Sequence, residues 1–178
     1  MRRIVSTVLA AVLALDLTAC SSSDEELVSK TPFPEFSEVD TQGNTVTSDI
    51  FADYDATIVN FWNNGCGTCI EEMPELEEYY QGFKEKNINL IGVASDSGES
   101  DDQLETARGI LEEKGVTYTN LSPSPENTLY LDFISQLAGY PTTYVVDSEG
   151  NIVGAPIIGN VKAQAETLEH RLEQAMDR

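Results

Sequence analysis

The sequence predicts an α/β domain built on a mixed central sheet with helices on both faces. Three observations carry that expectation. The run Ala56–Phe61 (ATIVNF) is β-rich and apolar on both faces, the pattern of a central buried strand. Directly after it, Ile70, Met73, Leu76, Tyr80 and Phe83 recur at three- and four-residue spacing, the signature of an amphipathic helix. The whole chain then orders as β-β, βαβα and β-β-α, which implies a mixed sheet covered on both sides.

Taken in order, Phe36–Val39 and Thr45–Thr47 flank Thr-Gln-Gly-Asn and read as an opening hairpin. The strand Ala56–Phe61 leads into a helix from Cys66 to about Lys84, with a kink expected at Pro74. Asn89–Ala94 is the next strand. Ser100 and Gln103 form a capping-box pattern opening a helix over Asp101–Lys114, and Gly115 stops it. Val116–Leu121 reads as a short strand, Pro123-Ser-Pro125 as a loop, and Asn127–Leu137 as a helical turn or two. Thr143–Val146 and Ile152–Ala155 flank Asp-Ser-Glu-Gly-Asn, a second hairpin signal. Val161, Ala165, Leu168, Leu172 and Met176 mark a closing helix. There are no internal repeats.

The chain has 178 residues, enough for one compact domain and a tail but not for two full cores. Ten Lys and Arg against 31 Asp and Glu give a net charge of −21. So acidic a chain is repelled by a phosphate backbone, which argues against nucleic acid as a partner. It is also repelled by an anionic membrane surface.

Membrane association is expected to come from the N-terminus instead. Met1-Arg2-Arg3 is followed by the apolar run Ile4–Leu15 and by Leu17-Thr18-Ala19-Cys20, the organisation of a secretory signal peptide. The run is shorter than the roughly 20 residues of a transmembrane helix, and Asp16 interrupts it. Leu17–Cys20 resembles the bacterial lipobox, which implies cleavage before Cys20 and lipidation of that residue. The expected organisation is a signal peptide over 1–19, a flexible tether over 20–31 and a folded domain over 32–178. The domain is expected outside the cytoplasm, lipid-anchored on the outer side of the cell membrane, or on an outer membrane where the host has one. There, dithiols and disulfides can both be stable.

The chemistry is expected where the central strand meets the first long helix, at Cys66-Gly67-Thr68-Cys69. Unpaired N–H groups and the helix dipole stabilise a thiolate at a helix start, and the thiolate is the nucleophile of disulfide exchange. Cys66, nearer the helix start, is the expected attacking sulfur; Cys69, one turn inward, is the resolving one. Zinc would need two further ligands, and the other Cys lies in the leader while the single His, His170, lies in the last helix. Haem attachment would need His where Ile70 stands. A purely structural disulfide closing so short a loop would add little stability. His170, between Glu169 and Arg171, and the acidic run Glu71, Glu72, Glu75, Glu77 and Glu78 read as solvated surface.

Val59-Asn-Phe-Trp-Asn-Asn-Gly-Cys-Gly-Thr-Cys69 with Met73-Pro-Glu-Leu76, and Tyr140-Pro-Thr-Thr-Tyr-Val-Val-Asp147 with Gly150-Asn-Ile, resemble the TlpA/ResA branch of the thioredoxin superfamily. The resemblance runs from about Pro34 to Arg178. It implies a thioredoxin-like fold with an N-terminal β-hairpin extension, and a thiol–disulfide oxidoreductase that needs no cofactor. It implies a cis Pro141 beside the sulfurs and a Tyr140 backbone offered to substrate as an added strand. Trp62, Gly65, Gly67 and Thr68 complete the implied substrate-binding set. The expected partners are a protein thiol or disulfide substrate and, since no nicotinamide or flavin motif is present, a membrane electron donor; the protein is expected to act as a monomer.

The departures bear on mechanism. Gly65 stands where the family often has Trp, Thr68 where thioredoxins have Pro, and Asn60 where thioredoxins carry a buried Asp. Proton removal from Cys69 must then come from elsewhere, water being one source, and a couple less reducing than thioredoxin's is expected. Reduction of protein disulfides is the commoner direction in the resembled branch. Two alternatives remain open at this point. One is a copper-carrier lipoprotein using the same two sulfurs, although such carriers usually add a His near the site. The other is a thiol peroxidase, whose pattern calls for Thr where Asn63 stands.

Overall fold

The computed structural model describes residues 31–177. The expected signal peptide, Cys20 and the expected tether up to residue 30 lie outside the described residues. Among the described residues no helix is long and apolar enough to cross a membrane.

Two short strands, β1 (Ser37–Val39) and β2 (Thr45–Thr47), pair antiparallel as the opening hairpin. Asp40 holds the turn between them by accepting the backbone N–H groups of Gln42 and Asn44 at 2.8 Å each. The main sheet has five strands in the order β5-β4-β3-β6-β7. They are β3 (Ala56–Trp62), β4 (Ile88–Ala94), β5 (Asn120–Leu121), β6 (Thr142–Asp147) and β7 (Ile157–Ile158). β3, β4 and β5 run parallel, β6 is antiparallel to β3, and β7 is antiparallel to β6. The mixed sheet is therefore present as expected.

Every residue of β3 and β4 is buried, as a strand covered on both faces requires. The two-residue period sorts β3. Ile58 and Trp62 face α1 (Gly67–Phe83), α2 (Asp101–Lys114) and α4 (Ala165–Met176), packing with Leu76, Leu111 and Leu168. Val59 and Phe61 face the other way, toward α3 (Thr128–Asp132) and the N-terminal segment, where they meet Phe33, Phe36 and Leu129. Phe33 fixes that segment by edge contacts with Phe36 and Phe51.

The chain enters the fold at the pole opposite the carboxyl ends of β3 and β4. Ile152 N–H donates to Thr31 O at 2.9 Å, and Pro32 bridges Asn151, beyond the far end of β6.

Two expected elements differ in detail. The β5 strand is two residues long, not six. The strand expected at Ile152–Ala155 is a single bridge, Val146 to Ile152, and the paired strand β7 comes later, at Ile157–Ile158. Gly154 breaks the ladder with φ +71°, and the Arg171 guanidinium lies where its Cβ would be, 2.3 Å away; Pro156 then supplies no N–H. The helix α1 continues unbroken through Pro74.

Candidate active site

The site stands at the carboxyl ends of the parallel strands, where open α/β sheets leave a crevice. β3 ends at Trp62, and Asn63–Gly65 turn the chain into α1. Cys66 is the N-cap of that helix and is bonded to Cys69 as a disulfide. Its Sγ accepts the Cys69 N–H at 3.2 Å. Cys66 is partly exposed, whereas Cys69 is buried at 1%. One sulfur faces a partner, and the other is shielded one turn further in.

The loop before Cys66 is held from α2 and from the turn after β4. Both Asp96 oxygens accept the Asn64 N–H, at 3.1 and 3.0 Å. Asn64 Nδ2 donates to Gln103 O at 3.0 Å and to Gln103 Oε1 at 2.8 Å. The capping pattern at α2 is thereby divided. Ser100 Oγ accepts Gln103 N–H at 3.2 Å as expected, but the Gln103 side chain is bonded to the active-site loop.

Trp62 lies beneath the sulfurs rather than on the contact surface, buried at 1% and packed with Cys69, Met73 and Ala94. Its Nε1 donates to Asn120 Oδ1 at 2.9 Å. Gly65, Gly67 and Thr68 are exposed around Cys66. The Tyr140–Pro141 peptide is cis. Pro141 precedes Thr142, which pairs with Phe61, and so stands level with Trp62. Tyr140 is half-buried and, like Cys66, packs against the cluster of Trp62, Cys69 and Met73. Burial raises its phenol above the usual range despite a bond to Ser95, with Tyr130, Asp96 and Glu99 adding to the shift. Cys66, Cys69, Gly65, Gly67, Thr68, Tyr140 and Pro141 are thus brought together. His170 is exposed on α4, and no group of three metal-ligating side chains gathers among the described residues.

The acidic run of α1 is not a uniformly solvated face. Glu71 and Glu78 are exposed, but Glu72 is buried at 1%. Its Oε1 accepts Asn60 Nδ2 at 3.1 Å, and its Oε2 accepts Val161 N–H at 2.9 Å. Asn60 Nδ2 also donates to Thr143 Oγ1 at 2.9 Å. Burial pushes the Glu72 carboxyl upward, and its two hydrogen bonds only partly oppose this, while Glu75 pushes the same way as burial. Where thioredoxins carry an acid, Asn60 is thus paired with a buried carboxylate of α1. Glu72 is three residues beyond Cys69, on the same side of the helix. The missed signal is periodic: Cys69, Glu72, Met73 and Leu76 form one i, i+3, i+4, i+7 stripe, with an acid inside the apolar face.

Against known proteins, the family model described as AhpC/TSA family matches residues 30–155. The thiol:disulfide interchange protein HelX of Rhodobacter capsulatus is 38% identical over 96 residues, 54% of this chain and 48% of that protein. The thiol-disulfide oxidoreductase ResA of Bacillus anthracis is 26% identical over 108 residues, 61% of this chain and 58% of that protein. The chain thus spans about half the length of these curated relatives. A crystal structure of a putative thiol:disulfide interchange protein DsbE from Chlorobium tepidum superposes with TM-score 0.67 at 21% identity, covering 84% of this chain and 99% of that one. The thioredoxin domain of a thiol-disulfide oxidoreductase from Bacteroides vulgatus gives TM-score 0.63 at 26% identity, over 80% of this chain and 98% of that one. The fold these comparisons share is thioredoxin-like.

Proposed function

The chain belongs to the AhpC/TSA family of the thioredoxin superfamily, and from that premise we propose that it is an extracytoplasmic, membrane-tethered thiol–disulfide oxidoreductase that reduces protein disulfides. The observation that carries the reading is the asymmetry of its sulfur pair: Cys66 partly exposed at the helix start, Cys69 buried one turn behind it. The relatives named as interchange proteins and oxidoreductases support the same chemistry.

In the reduced protein, the Cys66 thiolate, stabilised by the helix N-terminus, attacks a sulfur of the partner disulfide. The partner's S–S bond breaks, its first sulfur leaves as thiolate, and a Cys66–partner mixed disulfide forms. Glu72 takes the Cys69 proton. The Cys69 thiolate then attacks Cys66 Sγ, closing the Cys66–Cys69 bond and expelling the second partner thiolate. Burial raises the Glu72 carboxyl, which makes its carboxylate a stronger base than an exposed one. Tyr140 and Pro141 present backbone to the partner peptide, with Gly65, Gly67 and Thr68 around the exposed sulfur.

A membrane electron donor returns the disulfide to the dithiol, and lipidation at Cys20 tethers the monomer. The entry of the chain at the far pole of the sheet supports that arrangement. β3 alone spans seven residues, so at about 3.3 Å per residue the sulfurs stand on the order of 20 Å beyond the attachment end.

The direction of electron flow is tested by the reduction potential of the Cys66–Cys69 couple in graded thiol buffers. The proposal expects a value nearer to thioredoxin's about −270 mV than to the about −120 mV of a strong periplasmic oxidant. A value near the latter would reverse the direction. No reversible transition would overturn the redox reading and bring the metal carrier forward.

A further inference from the structure

The segment following β7 touches the site at three points. Gly159 N–H donates to Pro141 O at 2.9 Å. Two residues later, Val161 N–H donates to Glu72 Oε2 at 2.9 Å. Next to it, Lys162 Nζ reaches across to Glu75 Oε1 on α1. The segment is stiffened from within. Gln164 Nε2 donates to Ile158 O at 2.9 Å, Ala163 N–H to Asn160 Oδ1 at 3.0 Å, and Gln164 N–H to Val161 O at 2.9 Å. One rigid turn thus ties the cis-proline, the buried carboxylate and the helix bearing the sulfurs.

We infer that Lys162 is a positioning residue of the exchange reaction: its ion pair with Glu75 seats the 159–164 turn over Glu72 and neutralises the like charge one helical turn beyond it. The inference rests on the reading of Glu72 as proton acceptor for Cys69. Glu72 and Glu75 are i, i+3 neighbours on α1, where like charges disfavour one another. Lys162 is the cation that meets Glu75 from the opposite element, with Glu78 and Tyr79 also beside it. The other groups around Glu72 do not replace it. Asn60 of β3, Thr143 of β6 and the Val161 amide do not titrate. Tyr118, on the approach to β5, is held protonated by burial, with its phenol far above the usual range. Glu71 is exposed on the neighbouring helix position.

The consequence has a sign. Without Lys162, Glu75 is uncompensated and the Val161 amide is less firmly presented. Both changes favour protonated Glu72. The pH below which Glu72 no longer accepts the Cys69 proton must therefore rise. The pair is partly exposed, with side-chain accessibilities of 63% and 31%, so the effect is that of a surface ion pair, about two- to fivefold in rate.

The test is the pH–rate profile of Cys66–Cys69 closure from a preformed mixed disulfide between Cys66 and glutathione, measured in the full chain. Lys162→Ala is expected to move the acid limb to higher pH and to slow closure about two- to fivefold on that limb, with rates converging in alkali. Lys162→Arg restores the wild-type limb, whereas Lys162→Ala combined with Glu75→Gln restores it in part, since it removes the opposing charge but not the lost seating of the turn. A Lys162→Ala profile that superposes on wild type, with only a change in thermal stability, would overturn the inference. So would a double variant displaced as far as Lys162→Ala alone. Glu72→Gln separates the two levels of argument. If it keeps the wild-type acid limb, the Glu72 reading itself fails; if it loses that limb while Lys162→Ala leaves it unmoved, only the role of Lys162 fails.

Discussion

Glu72 Oε1 accepts a hydrogen bond from Asn60 Nδ2 at 3.1 Å, inside the interface between α1 and the central strand. The pair solves a problem posed by a polar residue in an otherwise apolar strand. Asn60 is 2% exposed and must find partners. It finds Glu72 on one side and Thr143 on the other. A buried carboxylate is thereby placed one turn behind the resolving cysteine.

Glu72→Gln is expected to slow closure of the Cys66 mixed disulfide about a hundredfold near neutral pH, within the range for loss of a general base. The deficit should shrink in alkali, where the Cys69 thiol ionises unaided. Stopped-flow measurement of closure against pH checks both parts.

Glu72 also makes stability depend on pH. Its folded-state pKa is raised, chiefly by burial, so its favourable contribution is complete below the unfolded value and is lost as pH rises through the folded one. Urea unfolding from about pH 4 upward should show wild type losing stability relative to Glu72→Gln as pH rises above the unfolded carboxyl value.

Glu77 gives the opposite sign. Burial raises its pKa, but the Thr117 hydroxyl and amide and the Gln81 amide donate to it at 2.6–2.8 Å and lower it overall. Its contribution is therefore present above the unfolded value and is lost as pH falls through the folded one. Glu77→Ala should cost about 1 kcal/mol near neutrality, with the difference closing in acid.

Gly92→Ala would place a Cβ 2.0 Å from Asn120 Oδ1, the atom that accepts Trp62 Nε1–H. The Asn120 side chain must move and release the indole. A loss of about 1–3 kcal/mol in stability is expected. Because Trp62 is the only tryptophan, a shift of its emission reports the broken bond directly.

The sequence was most legible where a period ran long enough to be read. β3, β4, α1 and α2 follow from continuous apolar runs or from three- and four-residue spacing, and the sulfur pair is visible because it opens α1. What escaped was decided by single residues against tertiary partners. Gly154, pressed against Arg171, and Pro156 delay the last strand past the apolar pair Ile152–Val153. Gln103 looked committed to Ser100 but is drawn to Asn64, which is distant in sequence. Glu72 was hidden by its neighbours. Within five glutamates of one helix, charge composition suggests solvent, and helical phase alone separates the buried one from the rest.

The central claim is that Cys66 attacks and Cys69 resolves. Trapping tests it most directly: each single variant, Cys69→Ser and Cys66→Ser, is mixed with a disulfide-bonded protein such as insulin and resolved on a non-reducing gel. The account predicts a stable covalent adduct with Cys69→Ser and none with Cys66→Ser. An adduct formed through Cys69 in Cys66→Ser, with none in Cys69→Ser, would contradict the assignment of the two sulfurs. Wild-type disulfide reduction retained in both would contradict the site itself.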